Sequence, residues 1–574
     1  MSQNLYLVTA GGTGMRCLQS FINTCALGMY PGKTINILLL ETDEENKDKK
    51  NTENLIQYYN KIRGKKSTNF NNDDEKAKIG NFYSANINLY TFVPDYSTEQ
   101  TRNFVVLSQV ERGDSEENRM LANIFYEEGV QEFNLAHGYR AQTHLGSYLM
   151  YHAFVDEIRK ATANDDYQKS SQLFKFINKI KESNQDGAKI FALGSSFGGT
   201  GASSIPVITR AITDSCKIIT GDKIEMDRLY YGGVVLSSYF KFSPPSDAHK
   251  KKDKIIADSQ FFEHNSAAAL MYYVNDPTIL DTYKRLYLLG WGDFKLTNVD
   301  DFKQKVASGG KADTKTVTGG KKQQNPAHML ELFGAFAAKH FFDETTPISE
   351  LNDISSTEFK FKSLEATPAG DGAFLPTVRF EDLYSIPDDE NKKGGQLATH
   401  EKIRDNFVAF YSIGSILKNY YDRNVIGLIK DLRRYNCNFN EYSDDQIEGL
   451  NRFFEYYTHI PQEGSDQQDF YPGWFNQLYM TFHGGDDPKD EYFFGLSAES
   501  FGLKYPKWWM NYNEFAGLSE VAVKDKFIQQ FKKINRKNKS GNLAQLVEAL
   551  RKTFYSLTTY DALASENNAK EENK

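Results

Sequence analysis

Two short glycine runs constrain this chain more than any other feature: Gly11-Gly12-Thr13-Gly14 near the start and Gly198-Gly199-Thr200-Gly201 far downstream. Each follows an apolar, strand-like run, Leu5-Tyr6-Leu7-Val8-Thr9 and Ile190-Phe191-Ala192-Leu193, and each leads into a helix-like segment. A glycine turn between strand and helix leaves backbone N–H groups bare at the positive end of a helix dipole, where an anion such as phosphate binds. One such turn is a weak signal. Two of them predict a nucleotide clamped from both sides. Alone, Gly11–Gly14 equally suits an ordinary turn or one loop of a dinucleotide-binding unit, with Asp43 as the acid that would hold a ribose.

The first half of the chain alternates strand and helix patterns, which predicts a parallel sheet. A strand near 4–10 precedes a helix near 14–29, and Ile35-Asn36-Ile37-Leu38-Leu39-Leu40 runs into Glu41-Thr42-Asp43. Polar residues 44–82 read as a helix flanked by loops, followed by a strand at 86–93, helices around 116–130 and 145–162, and a strand at 188–193. Tyr231-Gly232-Gly233-Val234-Val235-Leu236 is a further strand, and the Gly-, Lys- and Thr-rich stretch 307–324 reads as a loop. From His328 to Phe342 only Glu331, Lys339 and His340 break an apolar run, so that helix should be buried over most of its circumference.

Bulk properties exclude several classes. With 574 residues, 40% of them hydrophobic, the chain can bury a large core and should hold more than one domain. A net charge of −8 gives no global attraction to nucleic acid or an anionic membrane. No apolar run is long enough to span a bilayer, and the first residues lack a signal-peptide pattern, so a cytoplasmic location is expected. Cys17, Cys25, Cys216 and Cys437 show no metal-ligand spacing and read as reduced thiols. His137, His144 and His152 fit no metal-site spacing either, and no metal-binding residues are assigned.

The order of these parts resembles the tubulin/FtsZ superfamily, in particular its divergent bacterial tubulin-like members. There the first glycine loop opens the first helix, and a Gly-Gly-Gly-Thr-Gly-[Ser/Thr]-Gly signature cups the phosphates from the opposite side. The corresponding stretch here is Phe197-Gly198-Gly199-Thr200-Gly201-Ala202-Ser203, followed by Ser204-Ile205-Pro206-Val207. Gly138-Tyr139-Arg140-Ala141 to Gly146 falls where that family has its loop near the γ-phosphate. Asn325-Pro326-Ala327-His328 opens the apolar helix, like the family's central helix. The resemblance covers about residues 4–345.

It implies an α/β fold: a Rossmann-like parallel-sheet nucleotide-binding domain (1–324), a central buried helix (325–344) and a second α+β domain (345–500). A helical C-terminal extension (501–564) and a polar tail (565–574) complete this expectation. It also implies binding of GTP or GDP with Mg2+, through Gly11, Gly12, Thr13, Gly14, Arg16, Asp43, Gly138, Arg140, Gly198, Gly199, Thr200, Gly201 and Asn325. Arg16 stands where the family places a base-contacting Asn or Gln, and Arg210 where FtsZ has a ribose-binding acid, so the base is left open. In the family, acids after the central helix reach the next subunit's nucleotide. The family's motif is degenerate here, and by position the expected catalytic pair is Asp343 and Glu344, with slow GTPase turnover at most.

Three functional classes follow. The first is a GTP-binding protein that self-associates head to tail into cytoskeletal-type filaments, a contact that does not close on itself. The second is a non-polymerising nucleotide-dependent scaffold or switch acting with partner proteins from the same operon, for example in a bacterial defence system. The third, a Rossmann oxidoreductase, lacks a full Gly-x-Gly-x-x-Gly after the first strand. None of the three needs nucleic acid or membrane as a partner. Further along, Tyr471-Pro472-Gly473-Trp474 and Tyr505-Pro506-Lys507-Trp508-Trp509 read as packing anchors, and Leu543, Leu546, Leu550 and Phe554 mark one more amphipathic helix.

Overall fold

A computed structural model of the chain describes residues 4–343 except 27–28, 31, 44–45, 64–82, 84, 108–114, 184–186, 222–227, 241–254, 256 and 291–326. Beyond 343 it describes only 361–365, 377–379, 449, 452–453, 459–461, 470–472, 474, 492–493, 496–497 and 528–533. The expected second domain and C-terminal extension otherwise lie outside the described residues.

The fold is α/β around a parallel sheet. Its strands are β1 (Asn4–Ala10), β2 (Thr34–Leu40), β3 (Asn86–Phe92), β4 (Ala188–Ser195), β5 (Leu229–Leu236) and β6 (Tyr283–Leu289), extended by β7 (Phe361–Glu365) and β8 (Thr377–Arg379). They run parallel in the order β3-β2-β1-β4-β5-β6-β7-β8. The strand order reverses between β1 and β4, and open α/β sheets bind ligands at such a point. Near-continuous Leu, Ile and Val in β1, β2 and β4 suit strands covered on both faces.

Helices supply that cover: α1 (Gly11–Ala26), α2 (Lys47–Arg63), α3 (Glu116–Phe125), α4 (Glu128–Glu132), α5 (Thr143–Ala163), α6 (Asp165–Ser170), α7 (Gln172–Ser183), α8 (Thr200–Thr220), α9 (Phe262–Asn275), α10 (Pro277–Thr282) and α11 (Met329–Asp343). Because side chains alternate across a strand, Tyr6, Val8 and Ala10 join α5, α7, α8 and α10 in one core. On the other face Phe191 packs its ring on Phe341 and Phe342 of α11, and Phe342 meets Phe21 of α1.

Helix α11 is buried along its described length apart from His340 and Asp343, as its apolar sequence predicts. Gly232 permits its approach, since a Cβ there would stand 2.7 Å from the Phe341 ring. Its end is held by Lys189 near the start of β4, whose Nζ donates to the carbonyls of Phe341 and Phe342 at 3.3 Å each. A cation at the helix C-terminus satisfies bare carbonyls and complements the dipole.

In α8, Pro206 sits inside the helix and removes one N–H. The Tyr273 hydroxyl approaches the Ala202 carbonyl, four residues back, at 3.5 Å. Among the described residues no helix is long and apolar enough to cross a membrane.

Candidate functional site

The pairing of β1 with β4 puts both glycine elbows at the same end of adjacent strands, where they touch. Gly11 has φ +70°, a conformation natural to glycine, and a Cβ on it would stand 2.9 Å from the Gly201 nitrogen. A Cβ on Gly14 would fall 2.6 Å from the Leu193 carbonyl oxygen, and one on Gly201 would be 3.1 Å from the Ala10 carbonyl oxygen. The runs are therefore side-chain-poor because each backbone lies against the other. Helices α1 and α8 start at these elbows, so two positive dipole ends converge on one place.

A third loop closes over the second elbow. Gly138, Arg140 and Ala141 have φ +81°, +47° and +63°. Left-handed backbone at two consecutive non-glycine residues is costly and concentrates at functional sites. The nitrogens of Arg140 and Ala141 each lie 3.1 Å from where a Cβ on Gly199 would be. Next to this loop, Gly146 of α5 packs on Ser203 of α8 so closely that a Cβ would overlap the Ser203 hydroxyl.

The end of β2 contributes the acid of the site. Glu41 is buried and accepts hydrogen bonds at Oε1 from the Thr42 nitrogen (2.8 Å), the Asp43 nitrogen (3.3 Å) and the Thr200 hydroxyl (3.1 Å). Its Oε2 accepts from Asn46 Nδ2 at 2.8 Å. Since Thr200 donates to Glu41, its 2.8 Å contact with Thr42 is made by the Thr42 hydroxyl donating. Thus Thr200, in the second elbow, is tied to the tip of β2.

Burial, with the Asp43 charge adding to it, raises the Glu41 pKa to about 7 against hydrogen bonds that lower it. Folded protein therefore holds the Glu41 proton between pH 4.5 and about 7 where unfolded chain releases it. This contribution is full below that window and lost as pH rises through it. At about 1.4 kcal/mol per tenfold change in proton affinity, the loss is roughly 3 kcal/mol. Glu41→Gln should flatten this part of the stability profile, measured by urea unfolding at pH 5 and pH 8.

The structure gathers Gly11, Gly12, Thr13, Gly14, Asp43, Gly138, Gly198, Gly199, Thr200 and Gly201 around the ends of β1, β2 and β4. Asp43 forms an isolated β-bridge with His137, joining the β2 tip to the 138–141 loop. Arg140 belongs to that loop, but its Nη1 donates to the Ile255 carbonyl at 2.7 Å and its guanidinium lies 5.8 Å from the Phe133 ring. His144 and His152 stack on Tyr126 and Tyr148, so the three histidines have separate roles. Asn325 and Glu344 lie outside the described residues.

Arg16 departs from its expected role beside a base. It is buried, with Nε 2.6 Å from Glu331 Oε1, Nη1 3.2 Å from Asp48 Oδ2 and Nη2 donating to the Tyr239 hydroxyl at 2.6 Å. The Tyr239 hydroxyl in turn donates to Glu331 Oε1 at 2.6 Å, and Glu331 Oε2 accepts from the His328 nitrogen at 3.0 Å. Burial works against the Arg16 charge, but Tyr239, Glu331 and Asp48 outweigh it and keep the cation. Burial and that cation lower His328 to about 3, so its neutral Nδ1 accepts from the Leu330 nitrogen and caps α11. The cluster ties α1, α2 and α11 together directly behind the first elbow. Arg210 lies outward on α8, paired to Asp214 at 3.5 Å.

Asp343 ends α11 at the opposite edge of the sheet. The Arg16 cluster holds the start of this helix near the elbows, and Lys189, near the start of β4, holds its end. Fifteen residues at 1.5 Å each span about 22 Å. Asp343 is 55% exposed and paired with Lys339. Comparison with known protein families, with curated proteins and with solved structures gives no match.

Proposed function

We propose that this protein binds a nucleoside di- or triphosphate, GTP or GDP with Mg2+, at the paired elbows, and assembles head to tail with the nucleotide between subunits. The observation that carries this reading is the contact of the two glycine runs, Gly11 against Gly201, at the point where the strand order reverses. Backbone N–H groups at two helix starts, together with the strained 138–141 loop, suit a chain of phosphates. The resemblance to tubulin and FtsZ, stated from sequence, supports guanine as the first candidate base.

The position of Asp343 supports assembly as part of the function. An acid at the far end of a helix about 22 Å long, whose start lies near the elbows, can act on a nucleotide only if a second copy presents that edge to it. Unequal edges that meet in this way give an open filament. Its pairing with Lys339 favours slow turnover. That same pairing favours the second reading, in which bound nucleotide switches a scaffold that recruits partner proteins.

Chromatography of the denatured protein should release a guanine nucleotide at near-stoichiometric yield. Light scattering with added GTP should then rise above a threshold protein concentration. A preparation that carries and takes up no nucleotide sinks the binding reading. Nucleotide binding by a monomer that never assembles leaves the switch.

A further inference from the structure

The connection from β3 to α5 occupies residues 93–142 and carries α3 and α4, whereas about 2–6 residues join most such elements. Within it, α3 is locally well specified: Ser115 caps its first turn by accepting from the Asn118 nitrogen at 3.1 Å, and Glu116 and Glu117 complement its dipole. Yet α3 has no buried residue. Its large apolar residues recur at helical spacing and face outward: Met120 (60% exposed), Leu121 (53%), Ile124 (73%) and Phe125 (68%). A capped helix that rests on the core only through Ala122 and the following Tyr126, and shows four large apolar side chains to solvent, is built to be covered.

Its location says by what. Tyr126, at the end of α3, stacks on His144 in the first turn of α5, so α3 stands beside the elbows at the strand-end edge. On the other side of the elbows Phe261 at the start of α9 is 55% exposed, and Met271 and Tyr272 further along it are 67% and 50% exposed. Acids dominate the rim of the α3 patch, where Glu116, Glu117, Glu127 and Glu128 are all exposed and Arg119 is the cation among them.

The opposite edge of the sheet is chemically different. Parallel strands with returning helices bring helix ends there, and the last turns of α2, α5, α7 and α8 carry Lys61 and Arg63, Lys160, Lys181 and Lys217. Acids on that edge include Asp156, Asp166, Glu182 and Asp214, each paired with a cation three residues away, Asp214 with Lys217 itself.

We infer that α3 is the docking helix of a self-interface, its apolar face and acidic rim seating on the lysine-bearing edge of a second copy. This rests on the head-to-tail reading for the identity of the partner, but it makes its own demand. The contact would run through α3 whether or not nucleotide is present. Burying Ile124 and Phe125 would supply the anchor, and the charged rim would set orientation and on-rate.

The test uses full-length protein carrying Ile124→Asp with Phe125→Asp, which alters no buried side chain and should leave the melting temperature unchanged. Sedimentation and light scattering should show the threshold for self-association raised by at least about tenfold, as for loss of an interface anchor, while nucleotide retention is unaltered. A second pair reads the partner edge: Glu117→Lys with Glu128→Lys, and Lys160→Glu with Lys181→Glu, should each assemble poorly alone and recover when mixed. Nucleotide loss in the wild type with α3-dependent association intact overturns the nucleotide reading but not this one. Wild-type protein that stays monomeric at every concentration, an α3 variant that assembles normally, or mixing without recovery overturns the docking helix.

Discussion

Arg16→Met is expected to lower the unfolding free energy by about 3–5 kcal/mol, the usual cost of removing one partner from a buried ion pair. At roughly 2–4 °C per kcal/mol for a domain of this size, the melting temperature should fall on the order of 10 °C. The reason is the company Arg16 keeps. Glu331 and Asp48 have side-chain exposures of 1% and 7%, so without the guanidinium two carboxylates remain in a medium that disfavours their charge. Burial already pushes Glu331 upward while Arg16 opposes it. Removing Arg16 should let Glu331 take up a proton, and the penalty should shrink as pH falls. Adding Glu331→Gln to Arg16→Met should restore part of the loss by removing one stranded charge. A single Arg16→Met variant that melts with the wild type would show that the cluster does not hold α11 to α1. Thermal and urea unfolding at pH 5.5 and pH 8 read all of these.

Gly199→Val should reduce affinity for GTP by more than about 100-fold, the effect of losing several charge-assisted hydrogen bonds at once. A Cβ at 199 would stand 3.1 Å from the nitrogens of both Arg140 and Ala141. A branched side chain must push the 138–141 loop away and fill the space where a phosphate would meet those N–H groups. Thr200→Ala should cost less, about 10- to 100-fold, since it removes one hydroxyl and loosens the Glu41 tie without blocking the backbone. Equilibrium dialysis or fluorescence titration with a labelled nucleotide checks both. Gly199→Val with wild-type affinity would move the site away from the elbows, because the added side chain crowds the 139–141 backbone that forms that site. The order of the two effects matters too: a larger loss from Thr200→Ala would mean that side chains, not amides, make the grip.

Much of this arrangement was legible in the sequence because it is local. The apolar runs at 4–10 and 35–40, the glycine turns after 10 and after 197, and the apolar helix at 328–342 carry their own periodicity. Boundaries shifted where backbone geometry rules: the first helix begins at Gly11, whose left-handed φ is part of the turn, and not at Gly14. The helix expected over 116–130 divides at Tyr126–Glu127, where both residues are extended.

Distant pairings were not legible. Arg16 finds Glu331 across 315 positions and Tyr239 across 223, and no spacing rule joins residues so far apart. In the sequence Glu41 marks only the end of a strand, and Asp43 two residues on is the more evident functional acid. The direction of the Glu41 side chain, inward onto Thr200, depends on β1 lying between β2 and β4. The exposure of α3 was hidden for the opposite reason: its amphipathic pattern is that of a core helix, and only the fold shows its apolar side turned out.

Strand β4 carries an elbow at one end and, near the other, the lysine that grips the final turn of α11. It is hydrogen-bonded along both sides, to β1 and to β5, and so resists sliding in its slot. The strand therefore works as a fixed spacer: it sets the distance between the glycine turn and the foot of α11, so Asp343 can shift relative to that turn only if the helix slides over the sheet.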